Sequence, residues 1–338
     1  MSNRARTVAA VNAAGPQRSV GDLFQPEWAI LPVLVVVIVV GALLNRAFLS
    51  FDNIYGIMQQ GSELGVLTMG LTLVLIAGKF DLSLESTFGL APMLGVFCFL
   101  NVDGGSLGLA NSPFLALIGI FAAGAIIGVL NGVLVIYLRF NAFIATLATL
   151  ILLRGLSLGV THGQTLSDLP AMLTAPGEMS IASLPLSFLI ALILLAALTV
   201  FMSSHRLGRM IYAVGGNPQA ARVAGIPVER ILMGVFVAAG VLAALAGLLQ
   251  AGRIASIPSS LGQNLIFNAF AAAVLGGVSL NGGRGTIAGA CGGVLLLVLI
   301  QDVLVLSQVP AYWINATTGA IILVALLISK LSGADKAN

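Results

Sequence analysis

The chain has 338 residues, of which 59% are hydrophobic and only 8% are charged, and its mean hydropathy is +1.08. A soluble domain carries about a quarter charged residues, so this composition excludes a soluble globular protein and makes lipid the expected solvent. The formal net charge of +3 gives no indication of nucleic-acid binding, because it reflects only where the arginines are placed.

The N-terminal segment, residues 1–27, is polar and holds Arg4, Arg6 and Arg18. We predict a disordered cytoplasmic tail here. A cleavable signal peptide is not expected, because the first apolar run begins only near Trp28 and continues into a full span. Residues 28–331 are predicted to form a single transmembrane domain, and residues 332–338 a second cytoplasmic tail.

Apolar runs long enough to cross a hydrocarbon layer of about 30 Å recur along the whole domain. Their backbone polar groups must be satisfied internally in lipid, so the predicted fold is an all-α integral membrane protein. About ten transmembrane helices are expected. Their predicted ranges are 29–49, 54–77, 86–100, 113–138, 142–160, 185–203, 231–250, 264–280, 286–305 and 312–330.

The distribution of lysine and arginine predicts the orientation of these helices. Ten crossings place both termini on one side, and the cytoplasmic side is expected to collect the positive charges. Twelve basic residues then fall on the inner side: Arg4, Arg6, Arg18, Lys79, Arg139, Arg206, Arg209, Arg222, Arg230, Arg284, Lys330 and Lys336. The outer segments keep only Arg46 and Arg253, while Arg154 falls within the fifth span.

A polar segment, residues 204–230, forms the longest cytoplasmic loop of this topology. It is predicted to hold a short helix between Gly216 and Gly225 whose first and last residues are both specified by the sequence. A short, rigid helix of this kind suits a surface on which another protein docks. Asn217 and Pro218 suit the N-cap and first helical positions, and Gly225 suits the C-terminal end. The residues predicted to act in docking are Gly215, Gly216, Asn217, Pro218, Ala220, Ala221, Arg222 and Gly225, with Gly215 and Gly216 as a flexible lead. A plain structural turn is the alternative.

Groups for catalysis or metal binding are scarce. The two histidines, His162 and His205, are predicted to lie at membrane surfaces, and Cys98 and Cys291 lie in apolar runs. The glycine-rich runs lack the Gly-Lys-Ser/Thr ending of a phosphate-binding loop. We therefore expect no enzyme activity, no metal site and no cofactor on this chain.

Uncharged polar side chains, in contrast, recur in the spans and at their ends. Amides and hydroxyls along a path suit a neutral, hydroxyl-rich solute, although each could instead serve hydrogen bonding between helices. The residues predicted to line a translocation path are Gln59, Gln60, Glu63, Asn141, Thr146, Asn264 and Asn268. Glu63 is the best-placed ionisable group, in a water-filled vestibule or as a proton relay.

Three further stretches carry recognisable motifs: GKFDLSLES (78–86), LGRMIYAVGGNPQAARVAGIPV (207–228) and AAAVLGGVSLNGGRGTIAGACGG (271–293). Together they resemble the membrane permeases of bacterial ABC importers of the ribose, xylose and galactose type. NAFIATLATLILLRG (141–155) is a fourth, weaker match. The residues that carry the family signature are Asp81, Ser83, Gly276, Gly277, Gly282, Gly283 and Gly285. Lys79, Phe80 and Glu85 replace the usual Gly, Ile and Gly, which predicts a local Lys79–Glu85 pair or a different substrate.

This resemblance implies an architecture and a set of partners. The fold would be like that of the vitamin B12-importer type (type II) permeases, with two weakly related halves. A second permease copy or a homologous permease, cytoplasmic ATPase subunits that bind ATP and Mg, and a periplasmic solute-binding protein would complete the importer in the bacterial inner membrane. The solute would be a monosaccharide or related polyol, and its identity would be set largely by the binding protein.

Other functions stay open on the sequence alone. An ion-coupled secondary carrier acting by itself is the main alternative, and a membrane-embedded enzyme is remote. Within the importer interpretation, branched-chain amino acid permeases and furanose-signal importers are close neighbours in sequence type.

Overall fold

The computed structural model describes residues 30–331, and the two predicted tails lie outside this range. Thirteen α-helices occur within it. In chain order they are α1 (Ile30–Leu44), α2 (Phe51–Ile76), α3 (Leu84–Phe99), α4 (Pro113–Gly132), α5 (Ala142–Thr161), α6 (Ala171–Glu178), α7 (Leu186–Ser204), α8 (Arg206–Gly216), α9 (Pro218–Val223), α10 (Val228–Ile254), α11 (Leu265–Leu275), α12 (Ile287–Leu306) and α13 (Ala311–Leu331).

Five segments of the described chain are long and apolar enough to cross a membrane. They are Pro113–Tyr137, Ala142–Thr161, Leu186–Ser204, Val228–Ile254 and Ile287–Leu306. Shorter apolar helices occur at Ile30–Leu44, Leu84–Phe99, Leu265–Leu275 and Ala311–Val324. The protein is therefore an all-α membrane protein, as its composition predicts. Each of the ten predicted spans overlaps one of the helices.

Several helix boundaries differ from the predicted ones, for local reasons. α11 ends at Leu275 rather than near residue 280, because Gly277 turns the chain with φ +81°. α10 continues to Ile254, so Arg253 lies in its last turn and not in an outer loop. The first span stops at Leu44, where the Asn45 side chain caps a short 3₁₀ turn, Arg46–Leu49.

The polar gap between α5 and α7 also contains structure that the sequence did not predict. It holds α6 and a two-stranded antiparallel hairpin, in which β1 (Ser180–Ile181) pairs with β2 (Leu184–Pro185). The residues at the hairpin turn, Ala182 and Ser183, both have positive φ.

Helix α10 lies at the centre of the fold and packs against α2, α3, α4 and α6. Its contact with α4 depends on glycine, as the small-residue spacing of Gly124 and Gly128 predicts. A Cβ added to Gly124 would lie 2.6 Å from the Gly240 carbonyl oxygen, and one added to Gly128 would lie 2.5 Å from that of Phe236. The two backbones are thus close enough to exclude side chains.

Candidate functional site

Helices α8 and α9 form a polar segment outside the apolar helices. α8 buries one stripe of residues at helical spacing, namely Gly208, Ile211, Val214 and Gly215. α9 follows after a single residue, Asn217, which is extended and therefore turns the chain sharply. We call the side of the molecule that carries these two helices the α8–α9 side.

Helix α9 is capped at both ends, as the sequence predicts, although it is only six residues long. The Asn217 side-chain oxygen accepts hydrogen bonds from the backbone N–H groups of Gln219 (3.0 Å) and Ala220 (2.9 Å). Pro218 occupies the first helical position, where its missing N–H costs nothing. Gly225 has φ +79°, which favours glycine and stops the helix.

The two faces of α9 differ. Ala221 is buried at 3% exposure, whereas Val223 is 92% exposed. Arg222 forms an ion pair with Glu229 in the first turn of α10, at 2.5 Å, and both side chains are largely exposed. Val223 is therefore an apolar side chain that projects from a short helix whose two ends are capped. Val223 was not among the predicted docking residues, since Val is unremarkable in an apolar chain.

Gly215 is not the flexible lead that the sequence suggested. It is buried in the last turn of α8, and a Cβ on it would overlap the Ile76 carbonyl oxygen and lie 2.8 Å from the Gly283 nitrogen. That nitrogen donates a 2.8 Å hydrogen bond to the same Ile76 oxygen. Gly216, one residue later, has nothing within 4 Å of an added Cβ.

Gly78, Gly215, Gly282 and Gly283 together form what we call the glycine junction. A Cβ on Gly282 would lie 2.6 Å from the Gly78 Cα and 2.7 Å from the Gly215 oxygen. Gly78, Gly282 and Gly283 also have positive φ. The end of α2, the end of α8 and the connection between α11 and α12 thus meet backbone to backbone. The Tyr212 hydroxyl donates a further hydrogen bond to the Gly285 oxygen at 2.7 Å.

The remaining signature residues also have structural contacts. Gly276 packs against the backbone of Gly289 and Ala290 in α12. In the α2–α3 connection, one Asp81 oxygen accepts hydrogen bonds from the Ser83 N–H (3.0 Å) and hydroxyl (2.6 Å). The Asn131 amide donates to the same hydroxyl at 2.6 Å.

A pocket of about 370 Å³ lies between the start of α3, the middle of α5 and the N-terminus of α11. We call it the larger pocket. Glu85 and Arg154 form an ion pair across it at 3.1 Å, with their side chains 7% and 19% exposed. Glu85 thus pairs with Arg154 and not with Lys79, and Lys79 makes no ion pair with any described residue, so the predicted Lys79–Glu85 pair is wrong.

The larger pocket lies near the middle of the membrane-spanning layer. Arg154 is twelve residues beyond the first residue of α5, Ala142, which corresponds to a rise of about 18 Å. Helix α11 has only 11 residues, a rise of about 16 Å, so in a ten-crossing topology its flanking connections would span the rest of the layer. At its N-terminus, Glu85 accepts a hydrogen bond from the Ile266 N–H at 3.4 Å.

A second, smaller pocket of about 100 Å³ lies on the other side of α11, against α2, α10 and α12. Arg253 contacts Glu63 through two hydrogen bonds, Nε to Oε1 at 2.5 Å and Nη2 to Oε2 at 3.0 Å. Glu63 is almost fully buried at 4% exposure. Four amide side chains complete the polar lining of the smaller pocket: Gln60, Gln250, Asn268 and Gln301.

The structure brings only some of the predicted path residues together. Gln60, Glu63 and Asn268 line the smaller pocket, and Asn264 lines the larger one. The other three serve contacts within the protein. The Gln59 amide donates to the Gly177 oxygen, Asn141 caps α5, and the buried Thr146 hydroxyl accepts from the Leu82 N–H.

Comparisons with known proteins agree on a transport component. Residues 53–326 match the protein family described as branched-chain amino acid transport system / permease component. The autoinducer 2 import system permease protein LsrC of Yersinia pseudotuberculosis serotype O:1b (strain IP 31758) is 38% identical over 302 residues, covering 88% of this chain and 83% of that protein. Its namesake from Yersinia pestis (strain Pestoides F) has the same identity and coverage. No solved structure matches.

Proposed function

Since the chain belongs to the family described as branched-chain amino acid transport system / permease component, we propose that it is the membrane subunit of an ATP-driven importer for a monosaccharide or related polyol. The chain is a membrane permease component. The complete importer would add a second permease, two ATPase subunits that bind ATP and Mg on the α8–α9 side, and a solute-binding protein on the opposite side. ATP hydrolysis would then occur on the partner subunits.

The projecting helix α9 is the observation that carries the ATPase partnership. Its caps fix both ends, Val223 protrudes from its free face, and the glycine junction ties its base to α2 and to the α11–α12 connection. Glycine backbones in direct contact transmit a displacement with little side-chain slack. Movement of α9 by a closing ATPase would therefore reach α2, α3 and α11. Of these, α2 borders the smaller pocket, α3 the larger pocket and α11 both.

The charge distribution supports the proposed ten-crossing topology, with the α8–α9 side in the cytoplasm of a bacterial inner membrane. The pairing of Arg253 with Glu63 within the helices leaves Arg46 as the remaining basic residue in the outer segments. This strengthens the predicted bias of basic residues toward the inner side.

A second permease copy is proposed to cover the face beside the larger pocket. Helix α5 exposes Ile144, Ile151 and Leu152 by 62%, 64% and 59% next to the Glu85–Arg154 pair. An ion pair that faces hydrocarbon even with a small exposed fraction is costly, whereas a water-filled path between two copies would solvate it. The translocation path would then run between the two permeases, along the larger pocket.

The pairing of Glu63 bears on the alternative of an ion-coupled carrier. A proton carrier needs a carboxylate that gains and loses its proton during transport. The Glu63 carboxylate accepts two hydrogen bonds from the Arg253 guanidinium, so a fixed cation of the protein already occupies it. This contact favours an importer driven by a separate ATPase.

The docking role of α9 is tested by a Val223→Asp variant. A charge on the protruding side chain should abolish capture of the cognate ATPase subunit, identified from the neighbouring genes, in detergent pull-downs. Leu109→Asp is the matched control, because Leu109 is also an exposed apolar residue, at 70%, but lies in the connection between α3 and α4. Equal ATPase capture by wild type and Val223→Asp would contradict the proposal.

A further inference from the structure

We propose that the larger pocket is a solute-selecting site of the permease itself, which takes a neutral, hydroxyl-rich ring and recognises it through Gln263, Asn264, Ser260 and Phe267. This inference rests on the proposed import function. It assigns part of the selectivity to the membrane subunit, in addition to the selectivity of the solute-binding protein.

The charged groups of the larger pocket are already engaged by the protein. One Glu85 oxygen contacts Arg154 and the other accepts from the Ile266 N–H. The Nη1 group of Arg154 donates to the carbonyl oxygens of Ser259 (3.4 Å) and Leu261 (3.2 Å). The pair therefore sums to zero charge and holds α3, α5 and the α10–α11 connection in place.

The uncharged polar groups of the larger pocket, in contrast, are not engaged by other described residues. The side chains of Ser260, Gln263 and Asn264 line it, and none makes a hydrogen bond to another residue within 30–331. Amides both donate and accept, and a hydroxyl does the same, so these groups match the hydroxyls of a sugar.

The position of Asn264 explains why its amide is available. Asn264 occupies the N-cap position of α11, where an Asn side chain ordinarily accepts from the second or third N–H of the helix. Here its side chain makes no capping bond. The second N–H, that of Ile266, is taken by Glu85 from another helix. Glu85 thus performs the capping and leaves the Asn264 amide for the pocket.

An aromatic ring and an apolar wall complete the larger pocket. Phe267 lies three residues after Asn264, on the same side of α11, and is 52% exposed. Leucines of α5, among them Leu150, form the opposite wall. A sugar ring has an apolar C–H face that packs on such surfaces while its hydroxyls meet the amides. The volume of about 370 Å³ falls within the usual range of small-molecule sites.

A zwitterionic amino acid fits the larger pocket less well. Its carboxylate and ammonium would need a free cation and a free anion, but Arg154 and Glu85 are held by each other and by backbone groups. Breaking that pair would also remove the cap of α11. The pocket chemistry therefore favours a neutral sugar over a branched-chain amino acid.

Uptake by the complete importer tests the site. Proteoliposomes with the permease, its ATPase and its binding protein would be offered labelled D-ribose, D-xylose, D-galactose and L-leucine, each below the concentration that half-saturates uptake. Asn264→Ala and Gln263→Ala should each lower sugar uptake about fivefold, the effect on solute binding of one lost hydrogen bond of about 1 kcal/mol.

Gln164→Ala is the matched control, because Gln164 is also an exposed glutamine in a connecting segment and does not line the larger pocket. Sugar uptake by Asn264→Ala and Gln263→Ala equal to that of Gln164→Ala would overturn the site while leaving the importer intact. Uptake of L-leucine but of none of the three sugars would contradict the proposal that the solute is a neutral, hydroxyl-rich ring. No ATP-dependent uptake of any probe by the wild type would overturn the import function, and the site with it.

A labelling measurement gives a readout that does not depend on transport rate. Asn264→Cys, in a Cys98→Ala/Cys291→Ala background, should react with a methanethiosulfonate reagent, and the transported sugar should slow that reaction at least threefold. Gln164→Cys should react at the same rate with and without the sugar. Equal rates at position 264 with and without the sugar would contradict solute binding in the larger pocket.

Discussion

Replacing Gly215 by alanine should destabilise the permease, because the glycine junction has no room for a methyl group. The added Cβ would overlap the Ile76 carbonyl oxygen and lie 2.8 Å from the Gly283 nitrogen. All the neighbouring atoms are backbone, so no side chain can rotate away. Overpacking of this kind costs about 1–3 kcal/mol, and separating Gly283 from Ile76 would add about 1 kcal/mol for the lost hydrogen bond. We expect a total loss of about 2–4 kcal/mol.

Gly216 offers the control for this prediction within the same turn of α8. An added Cβ there meets nothing within 4 Å, so Gly216→Ala should be neutral, or stabilising by about 0.4–1 kcal/mol through the unfolded state. Thermal unfolding of the detergent-purified permease can be monitored by size-exclusion chromatography. The unfolding midpoint of Gly215→Ala should be lower than that of the wild type, whereas the midpoint of Gly216→Ala should not be. Identical midpoints for the two variants would refute the claim that the junction is closed.

Further predictions concern the buried Glu63–Arg253 ion pair, the source of energy for transport and the orientation of the chain in the membrane. Glu63→Gln should lower the thermal unfolding midpoint more than Glu229→Gln does, because it leaves the half-buried Arg253 without its partner, whereas the Arg222–Glu229 pair is exposed and weak. A Glu63→Gln/Arg253→Gln double variant should regain most of the lost stability. An unfolding midpoint of the double variant as low as that of Glu63→Gln would contradict this prediction. Dissipating the proton and sodium gradients at constant ATP should leave uptake unchanged, and a parallel loss of uptake would support the carrier alternative. With Cys98 and Cys291 replaced, a cysteine at Asp168 should react with an impermeant thiol reagent on intact cells and one at Arg222 should not; labelling at 222 would reverse the topology.

Local features of the fold could be predicted from the sequence because their causes are local. The caps of α9 follow from Asn217, Pro218 and Gly225, all within eight residues of one another. The long apolar helices follow in the same way from composition alone. Both cases need only propensity, periodicity and capping rules.

The candidate sites could not be predicted in the same way, because their partners are distant in sequence. Glu85 and Arg154 are 69 positions apart, and Glu63 and Arg253 are 190 apart. A charged residue in an apolar span signals a buried partner, but one sequence does not say which partner. The role of Gly215 was misjudged for the same reason, since the backbone that it touches belongs to α2 and to the α11–α12 connection.

Solute accumulation in vesicles of defined composition tests the central claim, that this permease imports its solute with energy from a separate ATPase. Proteoliposomes that contain the permease, its ATPase and its binding protein should accumulate a labelled sugar only when ATP is supplied on the α8–α9 side. Vesicles that contain the permease alone should show no accumulation under an imposed proton or sodium gradient. Accumulation by the permease alone under such a gradient would contradict the account.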